Sequence, residues 1–138
     1  MISTFQAIAF DDEQHSLDLL NSTFPGVVNP ILTDLSVCVD SSEVIGEALN
    51  QLRAQTPKII ILDLKWNHGA QYFDGIRFLR NASKENLLNG VVLIIWTQFL
   101  HEANLQLTSL MSLLTRAGVQ RVIYTPKSEM PPLGDLWR

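Results

Sequence analysis

The sequence predicts an α/β fold: a single three-layer sandwich with a five-stranded parallel sheet between layers of helix. Three observations carry that prediction. KIIILD at 58–63 and VVLIIW at 91–96 are short apolar runs that do not alternate, which suits strands covered on both faces. The segments between strand candidates have helical spacing and are too long for hairpins. Acids or a hydroxyl come directly after the apolar runs, at the edge where open parallel sheets place their chemistry.

Each element has its own justification. Residues 5–10 (FQAIAF) form a short apolar strand ending at Asp11, Asp12 and Glu13. Residues 14–24 carry Leu17, Leu20 and Phe24 at helical spacing until Pro25 and Gly26 break the pattern. Residues 27–30 read as a linking turn, and 31–39, interrupted by Asp34 and Ser36, as a strand near the sheet edge. Asp40-Ser41-Ser42-Glu43 offers a capped helix start, and Val44, Ile45, Ala48, Leu49 and Leu52 share one face of that helix.

After the central strand and Asp63 comes a loop, 64–73, rich in aromatic residues. Its Trp66, Tyr72 and Phe73 suit either a small satellite core or a docking lid for a partner. Asp74-Gly75 opens a helix with Ile76, Leu79 and Ala82 on one side. Thr97 ends the strand at 91–96. A helix over 101–117 should bury Ala103, Leu107, Leu110, Met111 and Leu114, leaving Leu105 and Leu113 off its main face, before Gly118 caps it. Residues 119–124 form the last strand, leading to Lys127.

A fifth helix is expected next, but Met130-Pro131-Pro132 blocks an early start. The stretch 133–138 (LGDLWR) looks like a first turn, so the last helix is expected to be truncated or atypical. Residues 1–138 then make one domain, the N-terminal part of a longer protein or a chain with one strand face thinly covered.

A hydrophobic content of 46% against 17% charged residues permits a core and argues against disorder. The net charge of −4, with ten scattered basic residues, argues against direct nucleic-acid binding by this domain. Cys38, alone, makes no intramolecular disulfide and suits a reducing compartment. No run is long enough for a membrane span and no signal peptide is visible, so a cytoplasmic setting is expected. His15, His68 and His101 are isolated, and there is no P-loop, nucleophile elbow or dinucleotide fingerprint.

In a parallel sheet Asp11, Asp12, Glu13, Asp63, Thr97 and Lys127 come to one rim. Clustered carboxylates repel, and a cation relieves the repulsion. All-oxygen ligands suit a hard ion, Mg²⁺ in particular, which keeps waters that a phosphate can replace. Lys127 and Thr97 would contact phosphate oxygens, and Asp63 would act as the nucleophile toward an activated phosphoryl group. Asp11 or Asp12 could instead be a simple helix cap.

With those residues in place, the chain resembles the receiver domains of two-component response regulators, of flavodoxin-like topology, over residues 5–127. FDDE at 10–13 resembles the acidic pair after the first strand, and ILDL at 61–64 the strand bearing the phospho-accepting aspartate. The resemblance implies Asp12 as the principal Mg²⁺ ligand, Asp11 acting through water, and the Lys65 carbonyl completing the metal shell with Asp63. It implies Thr97 and Tyr124 as switch residues and Lys127 as the phosphate-binding lysine. Asp74-Gly75 matches the start of the third helix. Three features depart from the pattern: a longer loop after Asp63, Gln98 after Thr97, and Ser128 in place of a proline after Lys127.

The implied function is a phosphorylatable switch, with residues 1–138 as a single receiver domain. Its phosphoryl group would come from a sensor histidine kinase or histidine phosphotransfer protein. Its output would be a homodimer surface or a C-terminal output domain. It would not be a turnover enzyme. The alternatives are a phosphorylation-independent interaction module on the same fold and a small-molecule phosphatase, for which the sequence specifies no pocket.

Overall fold

The computed structural model describes residues 6–33, 41–66, 74–98 and 100–134, excluding the side chains of 41 and 100–107. The element order is β1 (Ala7–Asp11), α1 (Gln14–Thr23), β2 (Val28–Leu32), α2 (Ser41–Gln55), β3 (Ile59–Leu62), α3 (Asp74–Lys84), β4 (Val92–Thr97), α4 (Leu100–Arg116) and β5 (Arg121–Pro126). All neighbouring strands pair in parallel, in the order β2-β1-β3-β4-β5.

The two apolar runs chosen from sequence occupy the middle of the sheet. Every residue of β3 is buried, and in β4 only Val92 is partly exposed. Alternation then divides the strands between two cores. Ile8, Phe10, Ile60, Leu62, Leu93 and Ile95 point to one face, where α2, α3 and α4 lie. Ala7, Ala9, Ile59, Ile61, Ile94 and Trp96 point to the other, where α1 lies. Burying one large apolar side chain in either layer contributes about 1.5–3 kcal/mol.

The chain runs outward from β1 to β2, then crosses back to β3 on the other side of β1. α1 and α2 therefore leave on opposite faces, and a crevice opens beyond the carboxyl ends of β1 and β3. This reversal places the acids after β1 beside the acid after β3.

Several expectations need correction. The second strand is Val28–Leu32, so part of the expected turn at 27–30 is strand and the expected strand at 31–39 begins earlier. Pro30, read from sequence as the end of a turn, lies within β2, an edge strand where the missing N–H is tolerated. Met111 is 36% exposed rather than in the core, and its Sδ accepts the Tyr124 hydroxyl at 2.9 Å. Leu113, expected off the main face, packs half-buried against the larger core. Residues 34–40, including Asp40 and Cys38, lie outside the described residues, as do 67–73.

Four α-helices are present among the described residues, which fits the expectation of an atypical last helix. Leu133 is completely buried in the α1-side core with Trp96, Leu17 and Leu20. No helix among the described residues is long and apolar enough to cross a membrane.

Candidate functional site

The first strand delivers its acids through its last residue and the two beyond it. Asp11 is 2% exposed, and its Oδ1 accepts the backbone N–H of Glu13 at 2.9 Å, which folds the β1–α1 connection back on the strand end. The N-cap position of α1 belongs to Glu13, whose side chain makes no capping hydrogen bond. Neither Asp11 nor Asp12 therefore holds the N-cap position of α1.

Asp63 arrives from β3. Its backbone N–H donates to the Phe10 carbonyl at 3.0 Å, so the ladder between the central strands continues to this residue. Its backbone carbonyl accepts the Trp66 indole N–H at 2.7 Å. The Trp66 ring is 1% exposed and packs against Phe10 and Phe78, with centroids 6.3 and 5.6 Å away. Of the two roles open to Trp66, a core residue is what the structure shows; Tyr72 and Phe73 lie outside the described residues.

Gly75 closes this corner from α3. Its N–H donates to the Leu64 carbonyl at 2.9 Å. A Cβ there would lie 2.6 Å from the Asp63 carbonyl oxygen and 2.8 Å from Leu64 Cα. Only glycine lets α3 approach the β3 end so closely.

Together these elements bring carboxylate oxygens of Asp11, Asp12, Glu13 and Asp63 within 4.8 Å of one another. Lys127, in the turn after β5, lies among them. Its Nζ is 2.7 Å from Asp11, 3.5 Å from Asp63 and 3.9 Å from Glu13. It also donates to Ser16 Oγ at 3.1 Å and sits 4.7 Å from the centroid of the Trp96 ring. The Lys127 side chain is 14% exposed, so it is held in place rather than ranging freely. Asp63 Oδ1 accepts the Thr97 hydroxyl at 2.8 Å and the Lys65 N–H at 3.4 Å.

The electrostatics follow from four clustered acids with the Lys127 ammonium among them. Burial, followed by repulsion from Asp63, pushes the Asp11 carboxyl up to about 6, against the pull of Lys127. Burial likewise raises Asp63 to about 6, with Lys127 and Thr97 opposing and Asp12 adding to the rise. Burial works against the charge of Lys127, but Asp63 and Asp11 outweigh it and hold its pKa above the ordinary lysine value. The donor atoms of the four carboxylates are all oxygen. That donor chemistry fits a hard divalent cation.

Of the residues singled out from sequence, Asp11, Asp12, Asp63, Thr97 and Lys127 come together, and Lys65 joins through its backbone N–H. Tyr124 stays outside, 43% exposed and bonded to Met111, with its hydroxyl pKa raised by partial burial. Ser16 and Trp96 are additions. Ser16 lies on the inner side of the first turn of α1, and Trp96 immediately precedes Thr97; neither position announces a contact with a lysine 111 or 31 residues away.

No family model, curated protein or solved structure matches this chain. The assignment therefore rests on architecture and site. A five-stranded parallel sheet in this order, with Asp11, Asp12, Glu13 and Asp63 placed to chelate a divalent cation, matches the fold and the phospho-accepting site of the CheY-like receiver domains.

Proposed function

We propose that this chain is a receiver-type signalling switch in which Asp63 accepts a phosphoryl group from a phosphohistidine on a sensor kinase or phosphotransfer protein. The observation that carries the reading is the shared carboxylate cluster, with Lys127 and Thr97 both on Asp63. The Asp63 carboxylate attacks phosphorus, the P–N bond breaks, and the imidazole leaves with the bonding pair and takes a proton. An acyl phosphate forms on Asp63.

Asp12, Asp11 and Asp63, with the Lys65 carbonyl, would hold Mg²⁺, which supplies positive charge for the equatorial oxygens. Lys127 stabilises the same developing charge from the β5 side. The Thr97 hydroxyl, now donated to Asp63 Oδ1, is placed to turn to a phosphoryl oxygen once the carboxylate is phosphorylated. Tyr124, bonded to Met111 on the outer surface, is the side chain through which that turn reaches α4 and β5. The phosphorylated and free forms then differ in population between two arrangements of one surface. A second copy, an output domain or another protein could read that surface. Residues 1–138 act as one domain of a regulator, not as a turnover enzyme.

The test is incubation with Mg²⁺ and acetyl phosphate, read by intact mass. Wild type gains one phosphoryl group and Asp63→Asn gains none. Equal labelling of both, or of neither, contradicts the proposal. The near-complete burial of the Asp63 side chain, 1% exposed, also fits a module that works without phosphorylation. A wild type that binds partners yet never labels would favour that second reading.

A further inference from the structure

The Lys127 ammonium, carried on the turn after β5, lies within 4 Å of Asp11, Asp63 and Glu13. Trp96 is 2% exposed in β4, with its ring in the α1-side core beside Leu133. Its indole N–H donates to the Glu129 carbonyl at 2.8 Å, two residues past Lys127. The Lys127 Nζ lies 4.7 Å from the ring centroid. One side chain thus binds both the backbone beyond the lysine and the lysine's charge.

The pairing has a physical basis. The negative π face of an indole attracts an ammonium most strongly where water is excluded. A tryptophan N–H in a core needs an acceptor, which the Glu129 carbonyl supplies. Trp96 is also next in sequence to Thr97, whose hydroxyl holds Asp63. β4 therefore presents two consecutive residues to the two faces of the sheet edge: Thr97 on the acceptor aspartate and Trp96 under the lysine.

We infer that Trp96 is a positioning residue for Lys127, aiming its ammonium at Asp63 through the ring contact and the indole N–H to Glu129. The inference rests on the phosphoryl-accepting reading for its functional consequence, while the placement of Lys127 is measurable without it. Trp96 touches no reacting atom. Its loss should slow phosphoryl transfer without removing the carboxylates that hold the cation.

The experiment compares wild type, Trp96→Phe and Trp96→Leu in three measurements. The first is the NMR chemical shift of the Lys127 side-chain methylenes. Ring current should move them upfield in wild type and in Trp96→Phe, and Trp96→Leu should return them to ordinary lysine values. The second is the labelling rate with acetyl phosphate and Mg²⁺, which should fall roughly tenfold in Trp96→Leu and less in Trp96→Phe. The third is Mg²⁺ affinity, which should stay within about twofold, since the ligands come from the β1 and β3 ends.

Unshifted Lys127 methylenes in wild type would overturn the inference, whatever the labelling shows. So would unchanged labelling in Trp96→Leu, or loss of metal affinity and labelling together, which would mark Trp96 as packing alone. A wild type that never labels but shows the upfield shift would uphold the placement and defeat the phosphoryl-accepting reading instead.

Discussion

On one face of the sheet three helices do the covering: α2, α3 and α4 bring Leu52, Phe78, Leu79, Leu110 and Leu114 onto Phe10, Leu62 and Ile95. On the other, α1 brings Leu17 and Leu20, and Trp96 and Leu133 complete the cluster. The first face is built from regular elements whose apolar stripes repeat along the chain. The second depends on single large side chains. The candidate site straddles both, because the Asp63 backbone is tied to the first face through Trp66 and Lys127 to the second through Trp96. A perturbation of the first face should therefore act mainly on stability, and one of the second mainly on where the lysine charge sits.

The largest effect is expected from Phe78→Ala. Phe78 is completely buried, 4.8 Å from the Phe10 ring and 5.6 Å from Trp66. Its truncation should cost about 4 kcal/mol in urea denaturation, with the slope unchanged. A loss under about 1 kcal/mol would show that the aromatic trio is not the centre of that face.

Next comes the pH dependence of the metal-free protein. Asp11 and Asp63 have folded pKa values of about 6 against 3.8 for the ordinary carboxyl. Between those values the folded state binds more protons than the unfolded, so stability falls as pH rises from about 4 to about 6. The fall is of the order of 3 kcal/mol per carboxyl at most. Denaturation in EDTA should show it, Asp63→Asn should flatten it, and Mg²⁺ should oppose it by binding the ionised form. A rise in stability over that range, with Asp63→Asn indistinguishable from wild type, would contradict the electrostatic account.

Leu133→Ala probes the α1-side face and should cost about 2 kcal/mol, at the low end for a buried leucine. No change in the denaturation midpoint would show that Leu133 adds nothing to the cover of that face. Arg53 with Glu85, a bidentate pair between α2 and the turn after α3, is exposed, and breaking it should leave the midpoint where it is.

The legibility of the sequence divides along the same line. KIIILD and VVLIIW are legible because a strand buried on both faces leaves a continuous apolar run, and the acids or hydroxyl after such runs are legible because every strand ends on one rim. Gly75 was readable as a helix opener, but its contact with the Asp63 carbonyl needed three dimensions. Residues 27–30 were read as a turn, whereas Val28–Leu32 is an edge strand, a position that accepts Pro30. Met111 was assigned inward from spacing alone, whereas Tyr124 offers its sulfur a hydroxyl outside. Trp96 and Ser16 escaped notice because their meaning lies in Lys127, brought to them by the return of the chain through β5.

The most direct test is a Mg²⁺ titration followed by amide resonances at the two strand ends. Residues 11–13 after β1 and residues 63–65 after β3 should shift together along a single binding curve, and Asp12→Ala should abolish both sets. Shifts confined to one strand end, or none at millimolar Mg²⁺, would mean that the acids of β1 and β3 do not share a cation.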